Sequence, residues 1–328
     1  MRKELVAGPP PDAQPGAAAA TPPRPPAAGP ARPRRRSRGD WSGYLFMVPW
    51  LVGLVSFTAG PLVISLYLSF TNYDLFTSPQ WTGLANFRRM FTEDPRYWHA
   101  VRVTAIYTVT SVPAKLGLAL AVALLLNRAR RGVGIYRSLL YVPSLLGASV
   151  AIALVWRGMF DAGGAVDQAL SLAGIHMGSW IYQPDTALWT LVALVAWQFG
   201  APMVIFLAGL KQIPGELYDA AAVDGASKVR QFWHVTVPML SPVIFFNLLL
   251  EIIQAFQSFT PASIISGGTG GPADSTLVYT LYLYQKGFGD FEMGYASAMA
   301  WVLLAAVGAV TLVLFATARL WVFYGGED

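Results

Sequence analysis

Four polar side chains recur along one apolar stretch of the chain, namely Asn247, Glu251, Gln254 and Ser258. Their spacing of i, i+4, i+7 and i+11 places them on one face of a helix. Carboxylates and amides are costly to bury in a membrane, where they usually face a water-filled path or a partner helix. Because these groups can hydrogen-bond sugar hydroxyls, they predict the lining of a solute path. Hydrogen bonding between helices is the alternative, and both interpretations stay open here.

Lys115 is a second charged residue inside a long apolar run. It has the chemistry to pair with Glu251 or to face an aqueous path. Its four-carbon stem also allows the ammonium group to reach the nearer membrane surface, and this is the arrangement we expect. Trp197 and Gln198 are other candidates for the path, but we expect them to pack within a helix bundle.

The sequence contains no set of residues that predicts catalysis or a bound cofactor. Lys115 and Glu251 form no recognised catalytic group. The glycine-rich run 267–271 is not followed by the Gly-Lys-Ser/Thr of a phosphate-binding loop. The chain has no cysteine, and its histidines lie far apart without the spacing of metal ligands: His99, His176 and His234. We therefore expect neither an enzyme nor a metal site.

Composition shows which elements position the polar residues. Hydrophobic residues make up 55% of the 328 positions and charged residues only 12%, with a mean hydropathy of +0.47. Soluble domains carry about 25% charged residues. Runs long enough to cross a bilayer as helices, which takes about 20 residues, occur at 44–70, 103–126, 138–156, 188–210, 239–265 and 294–318. The sequence predicts an all-α integral membrane protein with six transmembrane helices.

The ends of the chain and the loops predict its orientation. Residues 1–40 are rich in Pro, Ala and Arg, which predicts a disordered tail, so that 41–328 form the membrane domain. This tail, the segments 128–137 and 211–230, and Arg319 bring most Lys and Arg residues to one side of the six-helix arrangement. That side should be the cytoplasm, with both termini there. We expect the arginines of the tail to mark this side and not to bind nucleic acid.

The loop at 211–238 is too long to be a simple connection between packed helices. Pro214 and Glu216 suit the start of a helix, and Gly225 suits the left-handed residue just after its end. Ser227 can cap a second short helix, which we expect to end before Pro238. Alanines at 220–222 leave a smooth surface, so the loop predicts a docking element for another protein.

This loop also carries a recognisable motif. Asp219-Ala220-Ala221 is followed by Gly225, nine further residues and then Val-Thr-Val-Pro at 235–238. The pattern resembles the EAA loop of ABC-type import permeases, with Asp219 in place of the usual Glu. The resemblance implies that residues 225–233 contact an ATPase. The residues it implicates in coupling are Glu216, Asp219, Ala220, Ala221, Asp224, Gly225, Ala226, Ser227, Phe232 and Pro238.

Further segments are similar to the sugar-importer branch of that family, the relatives of the maltose and glycerol-phosphate permeases: 69–73, 81–87, 141–143, 269–272, 275–276 and 294–298. The resemblance implies a type I ABC importer permease fold in a bacterial cytoplasmic membrane, surrounded by membrane lipid. It also implies a second permease subunit, two ABC ATPase subunits that hold ATP and Mg, and an extracytoplasmic solute-binding protein. The chain itself would then bind no cofactor and hydrolyse no ATP.

Two other function classes predict different sequence features. A secondary transporter should show repeated halves and charged groups for ion coupling. No repeat relates residues 44–156 to 188–318. An intramembrane enzyme needs clustered catalytic groups at depth, which are lacking. The sequence therefore favours an importer permease for a mono- or oligosaccharide or polyol, with a non-sugar solute such as glycerol phosphate as the alternative within the same class.

Overall fold

The computed structural model describes residues 41–128, 133–146, 149–174 and 178–323. The chain divides into two units, Met1–Leu54 and Val55–Asp328. The described part of the first unit is helix α1, Trp41–Leu54. The predicted tail at 1–40 lies outside the described residues, as do Arg130, Arg131 and His176.

The second unit consists mainly of helices. Its first helices are α2 (Gly60–Ser69), α3 (Ala85–Arg88), α4 (Pro95–Arg128), α5 (Val133–Leu146), α6 (Val150–Phe160), α7 (Ala165–Ser171), α8 (Pro184–Trp197) and α9 (Gly200–Gln212). They are followed by α10 (Gly215–Val223), α11 (Lys228–Gln231), α12 (Val237–Phe256), α13 (Thr260–Ile265), α14 (Tyr279–Tyr284) and α15 (Met293–Trp321). Strands β1 (Thr71–Asn72) and β2 (Gln80–Trp81) pair antiparallel.

Four helices are long and apolar enough to cross a membrane. They are Phe46–Ser69, Pro95–Arg128, Lys228–Phe256 and Met293–Trp321. Two further spans result if each of two bent pairs crosses once, the pair of α8 and α9 being bent by 43°. The six predicted apolar runs fall on these four helices and two pairs. The described structure thus has four to six spans, and a count of six stays a prediction.

Helix α4 lies at the centre of the second unit, where it packs against α8, α9 and α12. Its buried residues include Tyr107, which is only 1% exposed, and the neighbouring helices contribute Phe206 and Leu240. Apolar side chains on α15 such as Leu312 are instead largely exposed. An apolar surface on a long helix is stable when lipid surrounds it. The burial pattern therefore fits a membrane-embedded bundle.

A polar network joins the start of α4 to α14 and α15. One carboxylate oxygen of Asp94 accepts hydrogen bonds from the hydroxyls of Tyr282 at 2.7 Å and Tyr295 at 2.6 Å. Burial alone raises the pKa of Asp94, but these hydroxyls and the backbone N–H of Tyr97 outweigh it and lower the pKa. The Asp94 carboxylate is thereby held in its charged form at the end of α4 opposite Arg128.

Three of the segments that resemble the sugar-importer branch meet at this same end, namely 69–73, 81–87 and 294–298. The side-chain amide of Asn86 donates to the carbonyls of Ser69 and Thr71, both at 2.9 Å. The backbone N–H of Gly294 donates to the carbonyl of Tyr73 at 3.0 Å. A β-carbon at position 294 would collide with the carbonyl of Thr71. Glycine is required at 294 because the strand β1 passes directly over the first turn of α15.

Candidate functional site

A cavity of about 310 Å³ lies between α4, the junction of α8 and α9, and the C-terminal end of α12. Its wall contains one cation, one carboxylate, and several amides and hydroxyls. The charged residues are Lys115 and Glu251. The polar residues are Tyr107, Ser111, Gln198, Gln254, Gln257, Ser258 and Thr260. Such a lining combines hydrogen-bond donors and acceptors with little net charge.

Lys115 and Glu251 form a buried ion pair across this cavity. The ammonium nitrogen Nζ of Lys115 lies 2.8 Å from Oε2 of Glu251, and the two side chains are only 8% and 9% exposed. The expectation that Lys115 extends to the membrane surface is wrong. It precedes Arg128 by 13 positions, so it lies about 20 Å from that end of α4. The Glu251 carboxylate is the partner within reach, and a buried ammonium group needs one.

Two hydroxyl groups on α4 lie one and two turns before Lys115. The hydroxyl of Tyr107 is 3.2 Å from that of Ser258, which connects α4 with the segment after α12. The Ser111 hydroxyl has no hydrogen-bond partner among the described residues, although Ser111 is fully buried and lines the cavity. A buried hydroxyl without a partner is unfavourable by about 1–3 kcal/mol. A solute hydroxyl that reached Ser111 would remove that penalty.

The structure brings together three of the four residues predicted to line a path. Glu251, Gln254 and Ser258 line the cavity. Asn247 lies one turn before Glu251, is 2% exposed, and donates its amide to the carbonyl of Val243 at 3.1 Å. Asn247 is therefore held against its own helix, outside the described lining of the cavity.

Other cavity residues were not predicted from the sequence. Tyr107 and Ser111 precede Lys115 by eight and four residues, so a search for polar groups on one face of α4 would have found them. Gln198, expected in packing, lies at the cavity wall. Trp197 packs as expected, with its ring 5.8 Å from that of Trp156. Gln257 and Thr260 follow α12, where no helical pattern points to them.

The loop at 211–238 has the helix, glycine and helix order that the sequence predicts. Helix α10 ends in a Schellman motif, with the N–H of Ala226 donating to the carbonyl of Ala221 at 2.9 Å and that of Gly225 to Ala222 at 3.1 Å. Gly225 has a φ of +75°. The Ser227 hydroxyl accepts from the N–H of Arg230 at 3.4 Å and caps α11.

The sequence predicts that the second helix of the loop ends before Pro238, and this prediction is wrong. It continues through a π-turn, Phe232–Thr236, into α12, so that Lys228–Phe256 is one helical span. Pro238 lies in the first turn of α12. Proline lacks the N–H that an α-helix needs at this point, and the π-turn lies directly before it in the same helix.

Most of the residues implicated in coupling lie at the surface. Glu216, Asp219, Ala220, Asp224, Gly225 and Ser227 are exposed, whereas Ala221, Ala226, Phe232 and Pro238 are half-buried. Within the described part of the chain, no salt bridge engages the carboxylates of Glu216, Asp219 or Asp224. A side-chain contact also joins α10 to the π-turn, since the hydroxyl of Tyr218 lies 3.0 Å from that of Thr236. The loop presents a small-residue surface with exposed carboxylates.

The chain matches a known protein family and is similar to several named permeases. Residues 98–322 match the family described as binding-protein-dependent transport system inner membrane component. The probable ABC transporter permease protein YesP of Bacillus subtilis is 51% identical over 89% of this chain and 94% of its own length. The lactose transport system permease protein LacF of Rhizobium radiobacter is 31% identical, over 85% and 95%. The sn-glycerol-3-phosphate transport system permease protein UgpA of Agrobacterium fabrum is 34% identical, over 86% and 96%.

The fold is shared with a solved importer. A chain in the crystal structure of a bacterial ABC transporter for the acidic polysaccharide alginate aligns with a TM-score of 0.73. The alignment covers 85% of this chain and 96% of the other, at 20% sequence identity. A second structure of an alginate ABC transporter, in complex with a periplasmic protein bound to an alginate pentasaccharide, aligns with a TM-score of 0.72 at 19% identity, over 85% of this chain and 94% of the other.

The buried ion pair makes a prediction about stability. Replacing Glu251 by Ala leaves the Lys115 ammonium group buried without a partner, which should lower the free energy of unfolding by about 3–5 kcal/mol. The double variant Lys115→Met/Glu251→Gln removes both charges and should recover most of that loss. Thermal unfolding of the detergent-solubilised protein measures both. Equal destabilisation of the single and double variants would contradict a direct pair.

Proposed function

The chain belongs to the family of binding-protein-dependent transport system inner membrane components, and we propose that it forms half of the transmembrane path for a carbohydrate or related polyol. It is a permease subunit of an ABC importer, a membrane transport component and not an enzyme.

The cavity beside Lys115 and Glu251 carries the proposal of a carbohydrate. Its amides and hydroxyls can donate to and accept from sugar hydroxyls. The ion pair leaves it without unbalanced charge among the described lining residues. Permeases named for lactose and for starch degradation products are among the similar proteins, at 31% and 28% identity. The hydrogen-bonding groups and the balanced charge of the cavity both fit an uncharged polyhydroxylated solute.

A second candidate is sn-glycerol 3-phosphate. Permeases named for it are 34% identical to this chain. A phosphate in the cavity would meet Lys115, but that ammonium group already binds Glu251 at 2.8 Å. A solute anion would have to compete with this carboxylate, which favours the uncharged class.

We further propose six membrane crossings, with both termini in the cytoplasm and residues 41–328 as the permease domain. The six apolar runs and the distribution of Lys and Arg support this topology. A second permease subunit, two ATPase subunits that hold ATP and Mg, and an extracytoplasmic solute-binding protein would complete the importer. The periplasmic protein bound to the alginate transporter supports the last of these partners.

The loop at 211–238 is proposed to transmit movement from the ATPase. Its exposed carboxylates and alanines offer a surface for docking. Its second helix is continuous with α12, which carries Glu251. An ATPase bound at this loop would therefore act directly on one wall of the cavity.

Ser111 provides a test of the solute site. Ser111→Ala should raise the KM for uptake of the best-transported sugar by about twofold to tenfold, the usual value of one hydrogen bond. Thr108→Val is the matched control, because Thr108 is also on α4, its buried hydroxyl also lacks a partner among the described residues, and it lies outside the described lining. Uptake by proteoliposomes that contain the assembled importer measures both. Equal KM values for Ser111→Ala and the unchanged protein would remove Ser111 from the site.

Topology can be tested by cysteine labelling, because the chain has no native cysteine. Thr269 and Ala222 are exposed, and we expect cysteines there to react from the extracytoplasmic and the cytoplasmic side, respectively. Gly270 is less suitable, since its φ is +95° and a β-carbon would lie 2.8 Å from Leu277. Labelling of both positions from the same side would refute the proposed topology.

Gly225 provides the test of coupling. A β-carbon at a φ of +75° is unfavourable by about 1 kcal/mol or more, so Gly225→Val should re-aim the two helices of the loop. Membrane insertion should persist, while ATPase recovery and solute-stimulated ATP hydrolysis are lost. Gly215→Val is the control, because Gly215 has a negative φ and open space around its β-carbon position. If co-purification and stimulation stay normal in Gly225→Val, the loop is only a connection.

A further inference from the structure

A second cavity, of about 630 Å³, lies where three candidate spans end. Arg128 is the last residue of the span Pro95–Arg128, and Lys228 is the first residue of the span Lys228–Phe256. Leu210 lies two residues before the end of the bent pair that finishes at Gln212. All three residues line the cavity. The apolar runs 103–126 and 188–210 end beside this cavity, and the hydrocarbon core ends where apolar runs end, so these two span ends put the cavity near the lipid headgroups.

The charge of this cavity is positive and not balanced. In its described lining, the charged residues are Arg128 and Lys228 alone. Across the described ranges of the chain, Arg128 forms no salt bridge, and the Lys228 ammonium group donates to the neutral side chain of Gln231, at 3.2 Å. The acidic residues of the nearby loop are not part of the described lining. The cavity thus offers two cations to an anion.

The rest of the lining is suited to an amphipathic molecule. Leu124, Leu210, Val229 and Phe232 form an apolar wall, while Asn127, Tyr218 and Thr236 add polar groups. A free phosphate ion would leave the apolar wall unused. A phospholipid fills both parts, with its phosphate against the cations and its glycerol and acyl chains against the apolar residues. Basic pockets between spans at the membrane surface recognise anionic headgroups in this way.

We propose that this cavity binds an anionic phospholipid of the surrounding leaflet, with Arg128 and Lys228 holding its phosphate. The described linings of this site and of the solute cavity have no residue in common. The site includes Tyr218 of α10 and Thr236 of the π-turn, whose hydroxyls lie 3.0 Å apart. A bound lipid therefore touches both members of the contact that joins the first helix of the loop to the start of the long span. Lipid composition would then adjust how firmly the loop is held.

Binding is measured directly, without reliance on transport. The full-length chain in its assembled complex is titrated with fluorescent phosphatidylglycerol and, separately, with fluorescent phosphatidylcholine in mixed micelles. Arg128→Gln/Lys228→Gln should weaken phosphatidylglycerol binding by about tenfold or more relative to the matched variant Lys211→Gln/Arg319→Gln. The matched variant removes the same charge from exposed positions outside the described lining. Binding of phosphatidylcholine should be weak and unchanged.

Two further arms separate the sources of the phosphate. Inorganic phosphate and sn-glycerol 3-phosphate at millimolar concentration should not displace phosphatidylglycerol, and displacement by either would identify a site for a soluble anion instead. An equal loss in both double variants would show only diffuse surface charge and overturn the proposal. If the cavity variant does not fold, photoreactive phosphatidylglycerol is cross-linked to the unchanged complex. Cross-links at 124–128 and 228–236 are expected, and their absence there would also overturn it.

Discussion

The ion pair between Lys115 and Glu251 constrains the rest of the bundle. Each charge is buried within the bundle, where it is tolerated only with an opposite charge at hydrogen-bond distance. This requirement fixes how α4 and α12 are rotated about their axes and at what height they meet. The polar face of each helix must then point to the same place. The cavity forms at that place, while the apolar faces of the outer helices are left for lipid.

The sequence predicts those features of the fold that are determined by residues close together along the chain. Most of the apolar runs fall on the described helices, because a bilayer imposes length and composition on each span separately, whereas the run 239–265 continues past the end of α12 at Phe256. The glycine at 225 has the predicted positive φ, because a helix C-terminus needs a left-handed residue at that point. Contacts between residues that lie far apart along the chain could not be predicted in this way. Lys115 and Glu251 are 136 residues apart, and no local pattern states that they meet.

The two cavities lie at different depths of the same bundle, and they differ in net charge. In the cavity beside Lys115 and Glu251 a cation and a carboxylate neutralise each other, and amides and hydroxyls remain to form hydrogen bonds. In the cavity at the span ends two cations lack an acidic partner among the described residues. The first arrangement suits an uncharged polar molecule within the membrane. The second suits an anion at its surface, where such a charge is less costly because water is near.

The π-turn before α12 affects how movement can pass along the helix. It lets the polypeptide pass Pro238 without a break, so that Lys228 and Glu251 belong to one rod. Glu251 follows Lys228 by 23 positions, which corresponds to about 35 Å of helix. Because the helix is continuous, a tilt at its exposed end would displace its opposite end. A displacement at that other end would act on the Lys115–Glu251 ion pair, which joins α12 to α4.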